Sequence, residues 1–149
     1  MTQPNVYSQT DLKTSQRMRR VGRADTSIER QVRYVLNRLG FRCRRKNNRI
    51  VGKPDIVLIG SKTAIFVNGC FWHGHESCRK GLRRPKNNAQ YWAEKIARNK
   101  SRDLRVISEL KSKGWRVVTI WECGILKADF EYSLKQALLD TQKSRNQVM

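Results

Sequence analysis

A chain of 149 residues with 32 lysines and arginines against 12 aspartates and glutamates carries a net charge of +20. That length suits one domain, and the charge favours a polyanion, most often nucleic acid. No stretch approaches the roughly 18 apolar residues of a membrane span, and Met1-Thr2-Gln3-Pro4-Asn5 lacks the apolar core of a secretion signal, so a cytoplasmic protein with no membrane partner is expected.

In chain order, residues 1–24 read as a basic arm with Lys13, Arg17, Arg19, Arg20 and Arg23, with a short helix expected around Met18. A single domain is expected over 25–141, with a polar, mobile tail at 142–149. Thr26-Ser27-Ile28-Glu29 is a capping box, and Ile28, Val32, Val35, Leu36 and Leu39 follow at helical spacing until Gly40 stops the helix. Phe41–Arg45 and Asp55–Ile59 read as strands. Gly60-Ser61-Lys62 turns the second of these into a buried strand, Thr63–Asn68, making a hairpin. A basic loop covers Arg79–Lys86. Asn88 is placed to cap a long helix over Ala89–Lys113, with Trp92, Ile96, Leu104, Ile107 and Leu110 inward and Gly114 ending it. Trp115–Trp121 reads as a strand with both tryptophans in the core, and Phe130, Leu134, Ala137 and Leu138 mark a last helix. The order α-β-β-β-α-β-α predicts an α/β fold, a mixed sheet flanked by helices.

The densest chemistry lies in Cys70-Phe71-Trp72-His73-Gly74-His75-Glu76-Ser77-Cys78, which holds both histidines and two of the four cysteines. Thiolate and imidazole are the usual zinc donors, and the spacing lets one loop wrap an ion with Cys70, His75 and Cys78. Cys123 is preferred over Cys43 as fourth ligand. It ends a strand that, running parallel to Thr63–Val67, would bring both ends to one edge, whereas Cys43 sits inside a strand where packing suffices. Four protein ligands make the zinc structural. Buried free cysteines are the plainer alternative.

His73 is left over as a candidate general base. Pro54-Asp55 opens a strand whose hairpin partner leads to His73, and a carboxylate there suits hard Mg²⁺, the ion that offsets charge on an attacked phosphodiester. A lone Pro-Asp is otherwise only a turn. Glu29 is accounted for by the capping box, yet a carboxylate at a helix start can also face a metal through water. Phe71 and Trp72 are adjacent and cannot both point inward from a strand. Exposed aromatics on a basic surface, with Trp92, suit wedging between bases.

Together these residues resemble the very-short-patch repair (Vsr) endonuclease family, over about Thr14 to Leu126. The resemblance is carried by Met18-Arg19, Asp25-Thr26-Ser27-Ile28-Glu29, Gly52-Lys53-Pro54-Asp55, Asn68-Gly69-Cys70-Phe71-Trp72-His73-Gly74-His75, Tyr91-Trp92, Lys95-Ile96, Asn99, Arg102-Asp103, Gly114-Trp115-Arg116-Val117 and Trp121-Glu122-Cys123. It implies a restriction-endonuclease-like fold and an enzyme that nicks one DNA strand 5′ to the thymine of a T:G mismatch, leaving a 5′-phosphate. It further implies Asp55 as Mg²⁺ ligand with the Val67 carbonyl, His73 as general base, Glu29 in the metal-water network, and structural Zn²⁺ on Cys70, His75, Cys78 and Cys123. The implied DNA-binding set is Met18, Arg19, Phe71, Trp72, Trp92, Lys95 and Asn99. Mismatched double-stranded DNA is the implied partner, with repair proteins beyond it. A monomer associated with the nucleoid through DNA is expected.

The chain departs from the family in two places. Val67-Asn68 stands where a well-known member has Thr-His, and that histidine would partner an acid such as Asp103, so the auxiliary pair is left open. The His75 to Cys78 spacing is one residue longer. The second carboxylate and lysine usual after Pro-Asp in restriction enzymes are missing, as the Vsr family implies. The alternatives are a Vsr-like nuclease with other specificity, or a non-catalytic zinc DNA-binding module.

Overall fold

The computed structural model describes residues 26–45 and 47–143, so the expected basic arm, including Met18 and Arg19, lies outside the described residues. Helix α1 (Ser27–Arg38) starts where the capping box predicts, with the Thr26 hydroxyl accepting the Glu29 N–H at 3.3 Å. It ends as a Schellman turn: Gly40 at φ 87° donates to the Asn37 carbonyl and Phe41 to that of Leu36.

Among the described residues the sheet has four strands in the order β1 (Arg44–Arg45), β2 (Ile56–Leu58), β3 (Thr63–Asn68) and β4 (Arg116–Trp121). The predicted hairpin is present, with β2 and β3 antiparallel and Ile56 opposite Ile65. Its turn closes through the Lys62 N–H on the Ile59 carbonyl at 3.0 Å. β4 runs parallel to β3, from Thr63 opposite Arg116 to Asn68 opposite Trp121. Parallel strands need a long crossover, and α3 (Ala89–Ser112) supplies most of it. Both strands therefore end together: Cys70 follows β3 by two residues and Cys123 follows β4 by two. Two short helices complete this end, α2 (Arg79–Leu82) within the basic loop and α4 (Glu122–Ile125) after β4.

Side chains alternate across the sheet. Ile56, Leu58, Ile65, Val67, Val118 and Ile120 pack with Val32 and Leu36 of α1 and with Phe130, Leu134 and Leu138 of α5 (Phe130–Lys143) to form the core. α3 lies near the other side of β3, where Val106 and Phe66 close round Gly52.

Several predicted details are corrected. β1 is confined to the two exposed arginines, and Phe41 and Cys43 precede it while packing against the core. A short, charged edge strand offers little to a further strand. Asn88 makes no side-chain cap; it takes a left-handed turn (φ 55°) and its carbonyl accepts the Trp92 N–H. Leu104 is 69% exposed because the buried stripe of α3, through Trp92, Ile96 and Leu110, passes beside it, and Ile107 is only half-buried. Trp115 precedes β4, and both it and Trp121 are half-buried rather than core.

Candidate active site and metal centre

A cleft of about 1150 Å³ is lined by the start of α1, the loop before β2, the end of β3, the loop after it and the middle of α3. Glu29, Asp55, Val67 and His73 all line it, as do Trp72, Lys95 and Asn99. Residues spread over more than seventy positions are gathered because the hairpin puts Asp55 beside the end of β3, from which the metal loop departs.

Asp55 is fixed by the ladder itself. Its N–H donates to the Ile65 carbonyl at 3.1 Å, and its Oδ2 accepts the Val67 N–H at 2.8 Å. The loop ahead of it is tightly seated: a Cβ on Gly52 would lie 2.2 Å from Val106 Cγ1, and φ there is +75°. Glu29, only 7% exposed, enters from the first turn of α1. Hard oxygen donors at Asp55 and Glu29 beside the Val67 backbone are a donor set suited to Mg²⁺.

His73 lines the same cleft. Its Nδ1 is 2.6 Å from Oδ2 of Asp103 on α3, with both side chains about a quarter exposed. An ionised carboxylate only accepts, so this contact places a proton on Nδ1 and leaves Nε2 as the other working nitrogen. Glycine shapes the loop here too, since a Cβ on Gly74 would meet Ile96 Cγ2 of α3 at 2.7 Å.

Below His73, the donor atoms of Cys70, His75, Cys78 and Cys123 all lie within 4.8 Å of one another. His75 Nδ1 is 3.6 Å from Cys70 Sγ and 3.4 Å from Cys123 Sγ. Ligands about 2.0–2.3 Å from a tetrahedral zinc ion stand roughly 3.5–3.8 Å apart, so these spacings fit. Backbone N–H groups serve the sulfurs: Cys123 N–H donates to Cys70 Sγ and Gly81 N–H to Cys78 Sγ. The Gly81 N–H lowers the Cys78 thiol, whereas burial pushes Cys70 up to about 12. The His75 ring stacks on Trp121, centroids 4.2 Å apart, which holds its orientation. Cys43 is not in the cluster; its thiol faces the Phe41 carbonyl.

The aromatics form one group. Ring centroids of Phe71, Trp72 and Trp92 are 5.3–5.7 Å apart. Lys95 Nζ stands 5.4 Å from the Trp92 ring and 5.5 Å from that of Trp72, and Asn99 Nδ2 donates to the Trp72 carbonyl at 2.9 Å. Phe71 and Trp72 are half-buried, while Trp92 is 7% exposed and serves as the floor of the group.

Comparison with known proteins places the chain in a family. The family description "DNA mismatch endonuclease Vsr" matches residues 6–80, half of the chain. The chain belongs to the Vsr family. It is 46% identical over 116 residues to the type II nicking enzyme V.NmeAIP of Neisseria meningitidis serogroup A, covering 78% of this chain and 81% of that protein. It is 42% identical over 108 residues to the type II nicking enzyme V.XorIIP of Xanthomonas oryzae pv. oryzae, covering 72% and 78%. To the DNA mismatch endonuclease Vsr of Escherichia coli it is 38% identical over 111 residues, covering 74% and 70%.

Within this Vsr-family chain the question of the auxiliary pair has an answer. Asn68 is buried and lines the cleft, and Asp103 engages His73. Lys53, Arg102, Thr119 and Glu122 also line the cleft and were not singled out as site residues from sequence. Glu122 had a signal, its place beside Cys123: its Oε2 accepts the Cys70 N–H at 3.4 Å and its Oε1 the Lys80 ammonium at 2.5 Å. Lys53 and Arg102 had only their neighbours Asp55 and Asp103.

Proposed function

We propose that the chain is a Mg²⁺-dependent DNA endonuclease that nicks one strand 5′ to the thymine of a T:G mismatch, built on a restriction-endonuclease-like domain stapled by structural Zn²⁺. The observation that carries this reading is the convergence of Glu29, Asp55 and the His73–Asp103 pair on a single cleft edged by Trp72, Lys95 and Asn99.

Asp55, with the Val67 carbonyl, would hold Mg²⁺, and Glu29 would hold water near it. When bound, the ion neutralises charge on the attacked phosphate and makes its water more acidic. His73 Nε2 takes a proton from the attacking water while Asp103 holds the ring and stabilises the imidazolium. The water oxygen bonds to phosphorus, the P–O3′ bond breaks with its electron pair going to O3′, O3′ takes a proton from solvent water, and the products are a 3′-hydroxyl and a 5′-phosphate. Phe71 and Trp72, braced by Trp92, wedge into the duplex, where unstacking costs least at a mispair. Met18 and Arg19 belong to the same DNA-contacting set. One active site suffices for one nick, which suits a monomer working on cytoplasmic, nucleoid DNA and passing its nick to repair proteins.

Strand-labelled duplexes containing T:G, T:A and the other mispairs, with Mg²⁺ or with a chelator, test this reading. A single Mg²⁺-dependent nick on the T strand of T:G alone is expected. Cutting of other mispairs or of matched sites would move the specificity, and binding without any cutting would leave a zinc DNA-binding module.

A further inference from the structure

The segment that follows the third zinc ligand, Arg79-Lys80-Gly81-Leu82-Arg83-Arg84-Pro85-Lys86, carries five cations and no acid. None of these belongs to the cleft. Free basic segments are ordinarily solvated and mobile, but this one is anchored. Gly81 is buried against His75, so closely that a Cβ would lie 1.9 Å from the His75 carbonyl oxygen, and its N–H donates to Cys78 Sγ at 3.3 Å. Two of the cations are engaged in bracing it: Lys80 pairs with Glu122, and Arg84 Nη1 donates to the carbonyls of Gly81 at 2.8 Å and Arg83 at 3.0 Å. Arg79, Arg83 and Lys86 are exposed, and no carboxylate among the described residues pairs with them. Arg79 and Arg83 flank a shallow concavity of about 620 Å³ shared with Lys80 and Leu82. Through Lys80 and Glu122 this ridge adjoins the rim of the cleft.

We infer that this ridge is a phosphate-binding surface for duplex DNA beyond the reacting strand, held rigid by the zinc ligands. The inference rests on duplex DNA being the substrate, and it gives the metal loop a second task besides stapling the fold. Preordered arginines lose less freedom on binding than a free basic loop would, and guanidinium groups match phosphate in two-pronged contacts. Phosphate contacts position a duplex without reading its sequence. The ridge therefore adds affinity equally to matched and mismatched DNA, while discrimination stays with the aromatic group.

The test is equilibrium binding of a fluorescent matched duplex, with no cleavage required, so its outcome is independent of the nicking chemistry. The variant is Arg79→Ala/Arg83→Ala, with bound zinc and circular dichroism confirming an intact fold. Each phosphate contact contributes about 0.9 to the slope of log affinity against log salt, so the double variant should lose about 1.8. Between 50 and 200 mM salt the parent should then weaken about twelvefold more than the variant. T:G and T:A duplexes should be affected alike, and Arg79→Lys/Arg83→Lys should restore most of the slope. A control, Lys127→Ala/Lys135→Ala, removes the same net charge elsewhere. An unchanged slope, an equal loss in the control, or a loss confined to the mismatched duplex would each overturn the inference. A chain that binds no duplex at all would instead remove the DNA reading itself.

Discussion

His73 Nδ1 and Asp103 Oδ2 lie 2.6 Å apart, a contact that ties the metal loop to the middle of α3 across thirty residues of sequence. It makes the imidazole's orientation a property of the helix. Removing the proposed base, His73→Ala, should lower the nicking rate by about 10²–10⁴-fold. Asp103→Asn keeps the size but removes the charge that stabilises the imidazolium and lets the amide NH₂ favour the wrong ring tautomer, and should cost at least about tenfold in kcat with little change in duplex affinity. Single-turnover rates at saturating enzyme measure both. An Asp103→Asn rate equal to the parent's would detach Asp103 from the chemistry.

Zinc is expected at one ion per chain. Cys123→Ser should lose it and at least about 3 kcal/mol of stability, since structural zinc-binding energy is largely folding energy. Cys43→Ser should keep the ion, because Cys43 stands outside the cluster. Metal analysis with denaturant unfolding checks this. Acid should also strip the ion: binding needs deprotonated sulfur, and burial raises the Cys70 thiol to about 12, so zinc must displace a tightly held proton and occupancy falls as pH falls.

Gly52 is a backbone requirement. Gly52→Ala places a methyl 2.2 Å from Val106 Cγ1 at a φ of +75°. Overpacking and left-handed backbone together predict a loss of about 2–4 kcal/mol, read from chemical unfolding. A near-neutral substitution would mean that the loop carrying Asp55 yields easily to α3.

The two tryptophans beside Lys95 should behave differently. Trp92 is 7% exposed, so Trp92→Ala should destabilise the fold by about 3–5 kcal/mol. Trp72 is half-buried at the cleft, and Trp72→Ala should fold normally while losing about 5- to 150-fold in preference for T:G over T:A duplex. Parallel unfolding and competition binding separate the two effects. A Trp72→Ala protein with full preference would place the wedge elsewhere.

Local patterns were legible in the sequence wherever short-range chemistry decides. The Thr26 cap, the Gly40 and Gly114 helix ends, the Gly60–Lys62 turn and the strand Thr63–Asn68 depend on neighbours a few residues away. So does the clustering of three candidate metal ligands, Cys70, His75 and Cys78, within nine residues. The fourth was reachable because parallel β3 and β4 end together, a consequence of the strand order. Long-range contacts were not legible. Asp103 was sought beside position 68 and sits on His73, because its direction depends on how α3 crosses the sheet. Leu104 has the hydrophobicity of a core residue but falls beside the buried stripe of its helix. Asn88 has capping chemistry, yet the chain enters α3 through a left-handed turn and its side chain makes no cap hydrogen bond. Composition and spacing thus determine which groups are available and which local elements form, through interactions a few ångströms long. Which carboxylate meets His73, and which aromatic is buried and which half-exposed, follows only from the packing of helix on sheet.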